Sequence, residues 1–169
     1  MTILQVKSRE ELTDVQRELL CEAGIAAEGA YNPYFGLKVG AAILTGKGEI
    51  IRGWHMSMAV GGSSTCAERA AIARLDEKQR MDVVAIAAYM KVLPEAPKDP
   101  DYPVNGLMPC GVCRQAIAEL AFLADRDIEY IGGSSVTEKV VVSGIRELLP
   151  IPYLSPTLLS NIRNAKREK

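Results

Sequence analysis

The sequence predicts an α/β fold, a layered domain in which helices cover a mixed sheet of about five strands, and three observations predict it. Short apolar runs alternate with stretches of helical periodicity, a TGKG turn joins the first two runs, and no linker, repeat or low-complexity tract interrupts the 169 residues. A single domain is therefore expected over residues 1–169, with a core of about 8–153 and a C-terminal extension over 154–169. The 48% apolar content is enough for a substantial core. With 20 Lys plus Arg against 21 Asp plus Glu, the formal charge of −1 offers no field for steering onto nucleic acid or an anionic membrane. The longest strongly apolar stretch, 83–90, falls far short of the ~20 residues of a membrane-spanning helix. Charges at Lys7, Arg9, Glu10 and Glu11 interrupt any secretory apolar region, so a cytoplasmic protein is expected, with neither nucleic acid nor membrane as partner.

Taken in order, the elements follow from local pattern. Leu12, Val15, Leu19, Leu20, Ala23 and Ala27 recur at helical spacing, predicting a helix over about 8–29 with Ser8 or Thr13 as cap and Cys21 packed within it. AYNPYFG (30–36) breaks the pattern, and strands at 37–44 and 49–54 flank TGKG as a hairpin. The Gly- and Ser-rich AVGGSST leads into CAERAAIARLDEKQR, a second helix opening at or beside Cys66 with Thr65 as cap. DVVAIAAYM (82–90) is the short continuous apolar run of a buried strand. Four prolines in LPEAPKDPDYPVNG make 91–108 a loop, long enough to serve as a lid or rim. A third helix over about 111–124, strands at 128–132 and 139–142, a helical turn at GIRELLP (144–150) and a solvated basic end at 163–169 complete the chain.

The four cysteines divide three to one. Cys110 and Cys113 lie three apart at the opening of a helix, so both thiols fall on one face, and Cys66 opens another helix. Two helix N-termini bringing three cysteines together make an open zinc site, with three protein ligands and a fourth position for water. This soft ligand set suits zinc better than magnesium or calcium. Glu68, two residues after Cys66, is placed to take a proton from the activated water and deliver it to a leaving nitrogen. The alternatives are a structural zinc with His55, the only histidine, as fourth ligand, or a C-x-x-C redox pair. Glu68 also fits a capping box, Thr65-Cys66-Ala67-Glu68.

C-x-E followed by P-C-x-x-C is the zinc nucleoside deaminase signature in its three-cysteine form. Its five fixed residues would recur by accident in such a chain on the order of once in 10⁴. Through AYNPYFGLKVGAAILTGKGEIIRG (30–53), TCAERAAI (65–72) and MPCGVCRQAIAEL (108–120), the chain resembles the small cytidine deaminases. GIRELLP (144–150) also resembles the tail of blasticidin S deaminases. The resemblance implies a three-layer α/β/α sandwich, one Zn²⁺ per chain on Cys66, Cys110 and Cys113, and Glu68 as the catalytic proton shuttle. It further implies that Arg69 hydrogen-bonds to ligand thiolates, that the Ala67 amide faces the ring carbonyl of a bound pyrimidine, and that the chain forms a homo-oligomer, a tetramer whose pockets are completed by neighbours. A guanidinium there makes physical sense, because three thiolates on Zn²⁺ leave a net negative charge that weakens the Lewis acid.

Three positions depart from the family. The Asn and Glu that grip ribose hydroxyls are replaced by His55 and Ser57, and the aromatic that packs on the base is replaced by Leu37. These remain the expected substrate-binding positions. The resemblance thus implies hydrolytic deamination of a cytosine-like nucleoside, base or related aminoheterocycle, with plain cytidine disfavoured. Alternatives are a blasticidin S-like or N4-substituted cytosine substrate, or a non-catalytic member that only binds a ligand or partner. The retained Glu68 weighs against the last of these.

Overall fold

Alternation along each strand decides which face of the sheet its side chains meet. In a computed structural model of the protein, which describes residues 4–94, 96, 106–157 and 159–160, the elements are β1 (Gln5–Ser8), α1 (Asp14–Ala27), β2 (Leu37–Thr45), β3 (Ile50–Trp54), α2 (Ala67–Ala73), α3 (Glu77–Arg80), β4 (Val83–Val92), α4 (Gly111–Ala124), β5 (Glu129–Ser134), β6 (Thr137–Gly144) and α5 (Ile145–Leu148). Ile86 and Ala88 of β4 join Ala41 and Ile43 of β2 against α2 and α4, while Ala85, Ala87 and Ala42 face Leu19 and Ala23 of α1. The expected three layers result, with α1 on one face and α2, α4 and α5 on the other.

The sheet has six strands in the order β1-β6-β5-β4-β2-β3, one more than the sequence predicts. Every pairing is antiparallel except β4 with β5, and α4 lies in the chain connection between those two. The extra strand is β1, which pairs with β6 where a helix was expected to begin. A 3₁₀ turn at Arg9–Glu11 follows it, and α1 starts only at Thr13, whose Oγ1 accepts from the Gln16 amide at 3.3 Å while Gln16 Oε1 accepts from the Thr13 amide at 3.0 Å. Cys21, expected to pack, is exposed, because Leu19, Leu20 and Ala23 occupy the buried stripe. The second predicted helix is two: α2 ends at Ala73 with Arg74 as its C-cap, and Asp76 caps α3 by accepting from the Gln79 amide at 2.8 Å. Most of the proposed 91–108 loop and the basic end at 163–169 lie outside the described residues.

Close approach of α2 to the sheet rests on Gly53. A Cβ at Gly53 would lie 2.2 Å from the Ala71 amide nitrogen of α2. Gly53→Ala is therefore expected to push α2 off β3 at a cost of about 2 kcal/mol or more, lowering Tm by roughly 4 °C or more in a thermal melt. An unchanged Tm would show that α2 has room to shift.

Candidate metal centre and adjoining cavity

Two backbone devices carry the cysteines to one place. The chain leaving β3 is pinned by paired hydrogen bonds between Met56 and Thr65, from the Met56 amide to the Thr65 carbonyl at 3.0 Å and back at 2.9 Å. The Ser57 amide donates to the Tyr31 carbonyl at 2.8 Å, and the Met58 amide to Ser64 Oγ at 3.0 Å. This closed loop ends at Cys66, which is itself the N-cap of α2, so Thr65 is not the cap and the predicted capping box with Glu68 does not form. On the other side the Leu107 amide donates to the Gly132 carbonyl of β5 at 3.3 Å. A Cβ at Gly132 would lie 1.7 Å from the Leu107 carbonyl oxygen, so glycine is what lets this segment run against the sheet and deliver Pro109 and Cys110 to the start of α4. Cys110 caps α4, its Sγ accepting from the Cys113 amide at 3.5 Å, and Arg114 Nε donates to the Pro109 carbonyl at 3.0 Å.

The result is a cluster of three sulfurs. Cys66 Sγ is 3.7 Å from Cys110 Sγ, which is 3.4 Å from Cys113 Sγ, and all three lie within 4.8 Å of one another. Four-coordinate zinc with Zn–S bonds of ~2.3 Å requires S···S separations of roughly 3.8 Å, so the donor set fits the ion. His55 is not part of this ligand cluster, and among the described residues no fourth protein ligand joins it. The geometry matches an open centre rather than a closed structural one. A hydrogen bond from the Cys113 thiol, then one from Cys110 and the charge of Arg69, draw the Cys66 thiol down to about 5 against its burial, which favours the thiolate form. Donation of that bond, with burial, pushes the Cys113 thiol up in the metal-free protein.

Beside the sulfurs lies a cavity of about 160 Å³ whose lining includes Leu37 and Val39 of β2, His55, Ala67, Leu107 and Met108, together with Cys66, Glu68 and Cys110. Glu68 sits in the first turn of α2 and is 5% exposed. Burial raises its pKa, opposed by hydrogen bonds from its own amide and from the Cys113 thiol. Its carboxyl thus shares the cavity with Cys66 and Cys110 and is near enough to the cluster for the Cys66 and Cys113 sulfurs to act on its pKa. A larger cavity of about 580 Å³ beside α1, lined by Leu12, Gly24 and Tyr89 among others, contains none of the three clustered cysteines.

Not every predicted site residue lines this cavity. Leu37, His55, Ala67 and Glu68 do. Ser57 does not: it is 2% exposed and its Oγ lies 3.2 Å from His55 Nε2. Arg69 does not line the cavity: it donates to the Ser64 carbonyl at 2.9 Å rather than to a thiolate, while its charge still acts on Cys66. Burial lowers the pKa of His55, favouring the neutral ring. Val39, Leu107 and Met108 are lining residues that spacing did not single out, although Met108 adjoins the Pro109-Cys110 motif. Tyr130 is a further omission: it is fully buried on β5, its hydroxyl has no hydrogen-bond partner among the described residues, and burial together with the Glu68 charge raises its pKa.

Comparison with known proteins bears on the same residues. The family model for the cytidine and deoxycytidylate deaminase zinc-binding region matches residues 14–124. A cytidine deaminase of Halalkalibacterium halodurans is 40% identical over 138 residues, spanning 80% of this chain and 92% of that protein. A blasticidin-S deaminase of Bacillus cereus is 33% identical over 115 residues, spanning 68% of this chain and 76% of that one. Among solved structures, the cytidine deaminase of Burkholderia pseudomallei superposes with a TM-score of 0.63 at 28% identity, covering 84% of this chain and 100% of its own. The cytidine deaminase of Mycobacterium tuberculosis gives 0.60 at 27% identity, covering 85% and 100%.

Proposed function

Since the chain belongs to the cytidine and deoxycytidylate deaminase family of zinc-dependent hydrolytic deaminases, we propose that it converts the amino group of a cytosine-like nucleoside, base or related aminoheterocycle to a carbonyl, with Glu68 carrying the proton. The observation that supports this most is a buried carboxyl that lines one cavity together with two cysteines of a three-sulfur cluster. What zinc held by Cys66, Cys110 and Cys113 supplies is Lewis acidity, enough to make water nucleophilic near neutral pH. Glu68 takes the proton that the nucleophilic water loses and returns it to the amino nitrogen, so that a C–O bond forms, the C–N bond breaks and ammonia leaves. Burial raises its pKa, which helps the carboxyl hold the proton between taking it from water and returning it. The Ala67 amide, in the first turn of α2 and at the cavity wall, is free of intrahelical partners and donates to the ring carbonyl. Leu37, Val39 and Met108 supply apolar surface to the ring and keep bulk water out.

Arg69 supports the centre through its charge. Arg69→Ala is expected to weaken zinc binding about tenfold or more in a chelator competition, the usual cost of losing such a neighbour. Affinity unchanged in that assay would leave Arg69 only the Ser64 carbonyl to hold. The chain also assembles as a homo-oligomer, a tetramer, in the cytoplasm under this reading. A second substrate reading is blasticidin S itself, favoured by the 33% identity to the Bacillus cereus protein and by GIRELLP at 144–150. Ammonia release from zinc-loaded protein, assayed on cytidine, deoxycytidine, cytosine, blasticidin S and aminopurines, tests the reading. Turnover of a cytosine-type ring is expected, and no release from any of them would overturn it.

A further inference from the structure

We propose that the larger cavity beside α1 is a second small-molecule site, one that takes a ligand with an apolar or aromatic body and an anionic end group. It stands independently of the deaminase reading, since this cavity lies on the α1 face of the sheet and the helices that open at the clustered cysteines pack on the other. At about 580 Å³ it falls within the ~300–1,000 Å³ of ordinary ligand clefts. Leu12, Leu20 and Tyr89 give it apolar surface, and a glycine leaves it open. Gly24 sits in the interior of α1, where glycine costs about 1 kcal/mol against alanine. Close packing does not demand it there: a Cβ would come no nearer than 3.6 Å to the Tyr89 ring, an ordinary contact. What the missing side chain leaves is room beside that ring.

Two arginines supply the cationic end. Arg9 Nη2 donates to the Ser134 carbonyl at 2.7 Å, the Thr137 carbonyl at 3.3 Å and the Tyr89 hydroxyl at 3.4 Å, and its guanidinium carbon lies 5.7 Å from the centre of the Tyr89 ring. Arg17 Nη2 donates to the Leu12 carbonyl at 2.8 Å. Neutral partners thus hold both guanidiniums at the cavity without cancelling their charge. The carboxylates paired with them, Glu138 at 3.3 Å from Arg9 Nε and Asp14 at 3.8 Å from Arg17 Nη2, are largely exposed and outside the lining, and such exposed pairs are worth ~1 kcal/mol or less. Lys91 and Glu28, the other charged residues of the lining, pair with each other at 2.5 Å. Two held guanidiniums beside an apolar cavity suit a carboxylate, sulfonate or phosphate.

The probe is 8-anilinonaphthalene-1-sulfonate, whose fluorescence rises in an apolar site, titrated into zinc-loaded protein. One molecule per chain with a Kd of about 100 µM or tighter is the expected result. Arg17→Glu is expected to weaken binding about fivefold, and Cys21→Trp, which brings an indole into the cavity from an exposed position on α1, to abolish it. N-phenyl-1-naphthylamine, the same rings without the sulfonate, is expected to bind wild type and Arg17→Glu alike. No binding of the sulfonate, the outcome if another stretch of the chain or a second copy fills the cavity, would overturn the proposal. So would a loss smaller than about threefold in either variant, or an equal loss of both probes in Arg17→Glu.

Discussion

Glu68→Gln is expected to lower kcat by roughly 10³-fold or more while the protein still takes up zinc, because the amide keeps the shape of the side chain and cannot carry a proton. The size of the effect follows from position. Glu68 is 5% exposed and lines the cavity beside Cys66 and Cys110, so no solvent-borne base can easily take its place. Zinc retention is the informative half of the experiment, since Glu68 is not among the three clustered ligand atoms. A variant with metal and activity within tenfold of wild type would remove Glu68 from the chemistry and return it to a helix-terminus role. Glu68→Gln is also expected to leave the Tm unchanged or higher, because it removes the cost of burying a carboxylate.

Cys113→Ala has the other large effect. The Cys113 side chain is fully buried and its Sγ accepts from Cys110 Sγ at 3.4 Å, so its loss removes the innermost sulfur of the cluster. Two sulfurs cannot complete a three-ligand centre, and the variant is expected to purify with less than about 0.2 zinc per chain and no measurable turnover. Elemental analysis checks the first and ammonia release the second. Cys21→Ala serves as the control, because Cys21 is exposed on α1 and outside the cluster. Equal zinc loss in both variants would mean that the metal binds through something other than the cluster.

Much of this arrangement is legible in the chain, for identifiable reasons. TGKG between two apolar runs leaves few options but a hairpin, and Pro109-Cys110 before a run of helix formers marks the start of α4. The strand β1 escapes notice because four residues with a single β-former, Val6, carry no period, and its place is settled by pairing with β6 far along the chain. The break between α2 and α3 escapes because Asp76 and Gln79 form their capping box inside an unbroken run of helix formers. Local signals compete there, and the cap prevails.

The site divides in the same way. Cys66, Glu68, Cys110 and Cys113 are close in sequence to helix starts, and their chemistry is unusual enough that spacing alone gathers them. Ser57 is different. Alternation along an extended segment says only that it shares a side with His55, and the contact between them depends on the Met56–Thr65 pairing that folds the loop back. Val39, Leu107 and Met108 are ordinary apolar residues, and only the sheet and the Gly132 contact bring them to the cavity.

Stepwise addition of zinc to metal-free protein, with ammonia release measured at each step, tests the central claim most directly. Activity is predicted to be absent without metal, to rise in proportion to bound zinc and to stop rising at one ion per chain, the capacity of a single three-cysteine centre. Activity in the metal-free protein, or none at one zinc per chain on any aminoheterocycle tried, would contradict it.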